Sequence, residues 1–298
     1  MIRKLKTSGV NILKKGYKKV VLSRSKAGTF GIFVFLALIC VVMTLPLIYA
    51  IIQSLKPIDE IFIYPPRFYV QKPTFENFRQ VYMLSGNLAV PFTRYLFNSV
   101  FVTVIGTVAI LFIDALAGYS LAKGKYKYCG LIYTIVVLAL LFRNEVTAIP
   151  VYYIVSKLGI IDTYWALFLT PLGGTMGVFL IRQFVISAIP DSTLEAARID
   201  GAGEFSIFSK IVLPGIKPAM LTVTIFTFQS MWNSGAKQYI FSEELKELPM
   251  VLSTIVSGGI ARAGAAAAVS VIMMIPPIAV FLWSQSSVME TMTHSGLK

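Results

Sequence analysis

The chain has 298 residues, of which 56% are hydrophobic and only 14% charged, with a mean hydropathy of +0.74. Soluble domains carry about 25% charged residues, so the composition excludes a soluble globular protein and indicates a polytopic helical membrane protein. The formal charge of +13 is unevenly placed, beside apolar runs, where basic residues mark the cytoplasmic side of a membrane rather than a nucleic-acid partner.

In chain order, residues 1–28 form a basic segment. Arg3, Lys4, Lys6, Lys14, Lys15, Lys18, Lys19, Arg24 and Lys26 occur there with no acid. Val10, Leu13, Tyr17 and Val20 recur among them at helical spacing, which predicts a short amphipathic helix on an anionic leaflet, or else a basic tail. The first apolar core, about Phe30 to Ile52, is longer than a signal-peptide core and is followed by no small-x-small cleavage pattern, so a retained helix is expected.

Six membrane spans are expected, at about 29–54, 96–122, 130–155, 164–186, 216–236 and 264–286. With Arg143 and Arg182 left inside spans and Lys217, at the edge of the fifth, counted with the loop before it, sixteen basic residues fall on the segments this order places inside and nine on those outside. That bias puts both termini in the cytoplasm, and the loop KGKYKY, with Lys123, Lys125 and Lys127, is a second inside marker. The external connection 55–95 is broken by Pro57, Pro65, Pro66, Pro73 and Pro91, so it folds back on itself or meets a partner. The external segment 237–263 carries an apolar patch that re-enters the membrane or packs on its outer face.

Several chemistries have no sequence support. There is no G-x-x-x-x-G-K-[ST] phosphate loop, so this chain is not expected to hydrolyse ATP alone. There is no G-x-S-x-G, H-E-x-x-H or C-x-x-C pattern, and His294 is the only histidine, so neither a catalytic site nor a His-based metal site is expected. Cys40 and Cys129 read as packing residues. Charges inside spans are expensive and invite a functional reading. Asp114 lies in the second span, and Arg143, Asn144 and Glu145 form a polar cluster in the third. They are a proton or ion relay, or else an interhelical pair or residues lining a watery cavity at a broken helix. Gln229, Trp232 and Asn233 in the fifth span either face a translocation path or bond to neighbouring helices. Gly173 and Gly177 have the G-x-x-x-G spacing of close helix packing.

The cytoplasmic loop 187–215 is the most informative stretch. Ser192 and Glu195 fit a capping box, predicting a helix from Thr193 to about Asp200. Gly201 then stands where a helix end needs a left-handed residue. A second helix is expected from Glu204 to Val212, with Phe205, Phe208 and Val212 on one face, ended by Pro214. Phe205, Ile207 and Phe208 exposed on such a loop would call for a partner surface.

Residues 195–214, EAARIDGAGEFSIFSKIVLP, resemble the EAA loop of permease subunits of ATP-binding-cassette (ABC) importers. Glu195, Ala196, Ala197 and Gly201 fill its first positions, and Ile211, Leu213 and Pro214 its last. PVYYIVSKLGIIDTYWAL at 150–167, IRQFVISAIPDSTLEAARIDGA at 181–202, MWN at 231–233, the Asn98-Ser99 pair and the tail ETMTHSGLK are similar to the carbohydrate branch, the tail to its oligosaccharide importers. The likeness covers roughly residues 95–298; the basic N-terminus and RNEVTA match less well.

The resemblance implies an all-α, six-helix permease of the type I importer class, with a basic segment 1–28 and a membrane domain 29–298. It implies a second permease subunit, two ATPase subunits that hold ATP and magnesium, an extracellular substrate-binding protein, and no cofactor on this chain. Glu195, Ala196, Ala197, Arg198, Asp200, Gly201, Phe205, Phe208 and Pro214 would couple to the ATPase. The tail around Ser295 and Gly296 would reach between the ATPases. In this class sugar contacts fall mainly on the partner permease, which leaves Gln229, Trp232 and Asn233 as this chain's candidates for the path. The competing readings are an ion-coupled secondary transporter using Asp114 and Glu145, and an ABC permease for a non-sugar solute.

Overall fold

The structure is a computed structural model that describes residues 26–86, 90–234 and 238–295. The expected amphipathic helix at 10–20 lies outside the described residues. The chain divides at Ile48 into two units. The first contains most of helix α1 (Lys26–Leu55), apolar around its whole circumference and long enough to cross a bilayer. The second unit runs from Tyr49 onward.

Among the described residues the second unit has helices and no strands. A short turn α2 (Ile58–Ile61) and helix α3 (Glu76–Gly86) lead to α4 (Phe92–Lys123), which is 32 residues long, about 48 Å. Then come α5 (Cys129–Ala139), α6 (Asn144–Lys157), α7 (Tyr164–Leu169) and α8 (Met176–Ala188). Helices α9 (Asp191–Ile199), α10 (Glu204–Ile207) and α11 (Leu213–Gly215) form the loop before α12 (Lys217–Ser234), α13 (Leu248–Ser257) and α14 (Ala263–Ser295).

The spans differ from expectation in continuity. Three helices, within α1, α4 and α14, are individually long and apolar enough to cross a membrane. Bent pairs bring the number to as many as five: α7 with α8 at 45°, and the α10–α11 stretch with α12 at 79°. The expected third span is not one helix. It breaks after α5, and Arg143 is extended (φ −80°, ψ 149°) before α6 restarts. The polar residues there open a helix, with Glu145 in its first turn where the dipole favours an acid. Arg143 and Glu145 pair at 3.2 Å, and both side chains are exposed.

Helix α4 is the axis of the packing, and small residues let its neighbours approach. A Cβ at Gly118 would meet Ile181 Cγ2 at 2.7 Å and the Arg182 backbone nitrogen at 3.1 Å, so α8 lies directly on α4. Gly177 does the same against the buried Asp114 carboxyl, whereas Gly173 faces open space. Of the G-x-x-x-G pair only Gly177 is a packing glycine.

The loops sort to the two ends of α4. At its N-terminal end, Asn98 Nδ2 donates to the carbonyls of Glu244 (2.8 Å) and Lys246 (3.0 Å), and its Oδ1 accepts from Tyr164 (2.9 Å). Leu248 N–H donates to Ser99 Oγ at 2.8 Å. Asp162 accepts the backbone N–H groups of Phe241 (3.0 Å) and Ser242 (2.9 Å). At the other end, Lys123 meets Asp191 and Tyr119 meets Glu204. The loops expected outside therefore gather at one end and those expected inside at the other.

The connection after α1 folds back on itself. The Lys56 ammonium is buried and donates to the Arg67 carbonyl, and Glu60 accepts from Gln71 N (3.1 Å) and Lys72 N (2.8 Å). The apolar patch of 237–263 is α13, whose Leu248, Val251 and Ile255 pack into a core with Tyr95, Trp232 and Val269.

Candidate functional site: the helix–turn–helix loop

The loop between α8 and α12 is built by local rules with one shift of register. Pro190, in extended conformation, precedes α9, so the helix begins at Asp191 rather than at Thr193. Ser192 therefore sits inside the first turn and makes no capping bond, contrary to the expected capping box. The start is secured instead by charge. Asp191 pairs with Lys123 at 2.7 Å, and the Lys123 hydrogen bond holds the Asp191 carboxyl below its usual range.

The far end of α9 closes as expected. Gly201 has φ +81°, Ala202 N–H donates to Ala197 O (3.0 Å) and Gly201 N–H to Arg198 O (3.1 Å). This is the Schellman pattern, with the left-handed residue supplied by glycine. A Cβ at Gly201 would touch nothing within 4 Å. The demand for glycine is therefore conformational and not a matter of space.

The second helix is less regular than expected. Four residues of α10 pass into a π-turn over Phe208–Val212, and α11 carries on through Pro214. Pro214 does not end the helix; the chain turns at Gly215–Ile216, before α12. Gly215 lies close against Ile189, where a Cβ would meet Cδ1 at 2.5 Å.

Burial divides the loop into two faces. Leu194, Ile207, Phe208 and Val212 are buried in a core with Tyr119, Ile181, Val185 and Ile216. The Tyr119 and Phe208 rings lie 5.8 Å apart. Phe208 and Ile207 are thus turned inward, and the expected exposure holds only for Phe205, at 71%. Ile199, which sequence reading did not single out, is 86% exposed. Glu195, Ala196, Arg198, Asp200 and Gly201 are exposed as well, and Ala197 is half-buried.

Three side chains lock the two helices to the bundle. Arg198 Nε donates to Glu204 Oε1 at 2.7 Å, and the Tyr119 hydroxyl donates to Glu204 Oε2 at 2.9 Å. The Arg198 hydrogen bond, then that of Tyr119, holds the Glu204 carboxyl below its usual range. Tyr119 and Lys123 carry no local signal for this role, because they lie on α4, far away in sequence. What results is a two-helix plate with its underside sealed against the bundle and the Ile199 and Phe205 side chains exposed. Such a plate can transmit force between a partner and the membrane helices.

The proposed path residues are spread around α12. Trp232 is buried, stacks on Phe228 and donates its indole N–H to Met273 O at 2.9 Å, tying α12 to α14. Asn233 is exposed and donates to Gln229 O (2.9 Å), and the exposed Gln229 borders a cavity of about 250 Å³ with Phe228, Pro277 and Phe281. Ser295 ends α14; its side chain and Gly296 lie outside the described residues.

No protein-family model matches the chain. It is 31% identical over 221 residues to the polygalacturonan/rhamnogalacturonan transport system permease protein YtcP of Bacillus subtilis (strain 168), covering 74% of this chain and 73% of that one. It is 27% identical over 274 residues to the arabinooligosaccharides transport system permease protein AraQ of Halalkalibacterium halodurans, covering 89% and 94%. It is 31% identical over 215 residues to the sn-glycerol-3-phosphate transport system permease protein UgpE of Yersinia enterocolitica, covering 67% and 72%. Among solved structures, a chain of a bacterial ABC transporter involved in the import of the acidic polysaccharide alginate superposes with a TM-score of 0.74 at 24% identity, over 88% of this chain and 98% of that one. That last likeness shows the fold.

Proposed function

We propose, from the premise that this chain belongs to the permease family of sugar ABC transporters, that its loop 187–215 is the coupling element of an oligosaccharide importer. The chain is a permease subunit and a multi-pass membrane protein. The observation that carries the coupling role is the division of the loop: Ile207, Phe208 and Val212 are sealed into the bundle while Ile199 and Phe205 stand out from the same plate. Two large apolar side chains exposed on a loop outside the spans offer a surface that a partner would cover.

In this reading Glu195, Ala196, Arg198, Asp200, Gly201 and Phe205 lie at the docking face, with Ala197 at its edge. Phe208 acts from behind, seating the plate, and Pro214 is exposed where α11 runs toward the turn into α12. The partner is an ATPase subunit that binds ATP and magnesium. When two such subunits close, the plate moves as one body, and its bonds to Tyr119 and Lys123 carry that motion into α4. A second permease subunit completes the pathway and an extracellular binding protein delivers the oligosaccharide. The tail at Ser295 and Gly296 reaches toward the ATPases. Gln229 and Asn233 face the path, with Trp232 fixing α12 behind them. The organisation is a basic segment 1–28 before a permease domain 29–298, both termini cytoplasmic.

Mild-detergent purification of the chain from its native membrane, with mass spectrometry of the proteins retained, tests this. A second permease and a Walker-motif ATPase are expected. Recovery of the chain alone, under conditions that keep other ABC complexes intact, would overturn it.

A further inference from the structure

A groove of about 360 Å³ opens at the N-terminal end of α4, the end opposite the coupling loop. It is lined by Arg94, Phe97 and Phe101 of α4 and by Tyr164, Trp165 and Phe168 of α7. Its volume is within the range of small-ligand sites, about 300–1,000 Å³. The aromatic walls form a connected set. Phe97 and Phe101 stack at 5.5 Å, and Phe101 meets Tyr164 and Phe168 edge-on at 5.8 and 5.9 Å.

The lining is ordered by depth. Arg94, Tyr164 and Trp165 stand at the starts of their helices. Phe101, seven residues on, lies about 10 Å farther along α4, and Phe168 lies one turn deeper on α7. A cation with Tyr and Trp at one level and phenylalanines below is the order of a bilayer from headgroup to hydrocarbon. Arg94 is exposed and has no ion-pair partner among the described residues. Its bonds are to the Glu244 carbonyl at 3.3 Å and, weakly, to the Tyr164 hydroxyl at 3.5 Å. A guanidinium has five N–H donors, so most remain for an anion.

A saccharide fits this groove poorly. Besides Arg94 its polar groups are the Tyr164 hydroxyl, which already donates to Asn98 Oδ1, and the Trp165 indole N–H, which can only donate. The neighbouring exposed positions of α4, Val100, Val104 and Val108, are apolar too, so the groove opens onto a surface suited to hydrocarbon. The geometry points to a site for one anionic phospholipid, its phosphate on Arg94 and an acyl chain along Phe97, Phe101 and Phe168. The lipid would stay with α4 and α7 at the end that the oligosaccharide enters, and its headgroup charge, not its tail, sets the preference.

Trp165, at the rim, is a built-in reporter. The complete transporter is reconstituted in phosphatidylcholine bilayers with rising fractions of phosphatidylglycerol brominated on its acyl chains. The Trp165 signal is the difference between wild type and Trp165→Phe. Quenching is expected to saturate at a lower fraction for brominated phosphatidylglycerol than for brominated phosphatidylcholine. Arg94→Gln should raise that half-saturating fraction about fivefold, the weight of roughly one charge at an anionic surface, while Arg94→Lys retains most of the preference. Equal quenching by both lipids, a preference unchanged in Arg94→Gln, or a Trp165 that neither lipid quenches because a partner chain covers the groove would each overturn the proposal.

Discussion

Arg198 and Glu204 stand six residues apart on separate helices and meet at 2.7 Å across the Gly201 turn. The second oxygen of Glu204 is held by Tyr119 on α4. One carboxylate thus joins both helices of the loop 187–215 to a membrane-spanning helix. Glu204→Gln should loosen the loop without unfolding the bundle. Hydrogen exchange at residues 196–208 should rise while exchange across α4 stays unchanged. An unaltered loop would refute the joint. The pH dependence has a definite sign. The carboxyl is held below its ordinary range, so its contribution is complete above that range and is lost only as pH falls through the lowered folded value. Across neutral pH, loop exchange in wild type should show no dependence arising from Glu204 beyond the intrinsic chemistry.

Gly201→Val tests the turn. Its φ of +81° suits glycine, and a β-branched residue there costs about 1–2 kcal/mol. Because the side chain would meet open space, the chain should still insert. ATP hydrolysis in proteoliposomes should become uncoupled from sugar uptake. Gly201→Asn, which tolerates the left-handed region, should be milder. Normal coupling in the valine variant would count against docking through this turn.

The two faces of the loop should fail differently. Ile199→Asp and Phe205→Asp alter exposed side chains, so thermal stability should hold while retention of the ATPase in purification falls. Phe208→Ala removes a buried ring and should cost about 3–5 kcal/mol of stability. If Phe208→Ala lost the ATPase at unchanged melting temperature, the assignment of faces would be wrong.

At the opposite end, Asp162 has φ +59° and accepts both backbone N–H groups of Phe241 and Ser242. The Ser242 hydroxyl, followed by these backbone bonds, holds its carboxyl below the usual range. Asp162→Ala should free residues 238–242, read as faster hydrogen exchange there and in the first turn of α13. In wild type the clasp should persist at neutral pH and weaken only in acid, as pH falls through the depressed folded value.

Much of this was readable from sequence because it depends on local or averaged properties. Apolar run lengths announced the membrane helices, and the glycine at 201 announced its turn because a left-handed backbone is a local demand. The register of α9 was misread because Pro190 fits the position before a helix as well as Ser192 does. The choice was settled by Lys123, 68 residues away in sequence from Asp191. The third span was drawn as continuous over 130–155, and the polar cluster Arg143–Glu145, which also allowed a broken helix, marks where the backbone breaks.

By itself, the sequence determined the class of protein and the helix–turn–helix, since periodicity and glycine geometry act within a few turns of chain. Only the tertiary structure decided which side of the loop faces out. Phe205 and Phe208 are one turn apart and equally apolar, so nothing local separates them. The difference is that Phe208 lands on Tyr119 at the end of α4, while Phe205 overhangs the edge. Burial of one ring and exposure of the other depends on where two distant segments meet, and that meeting depends on the packing of the whole bundle.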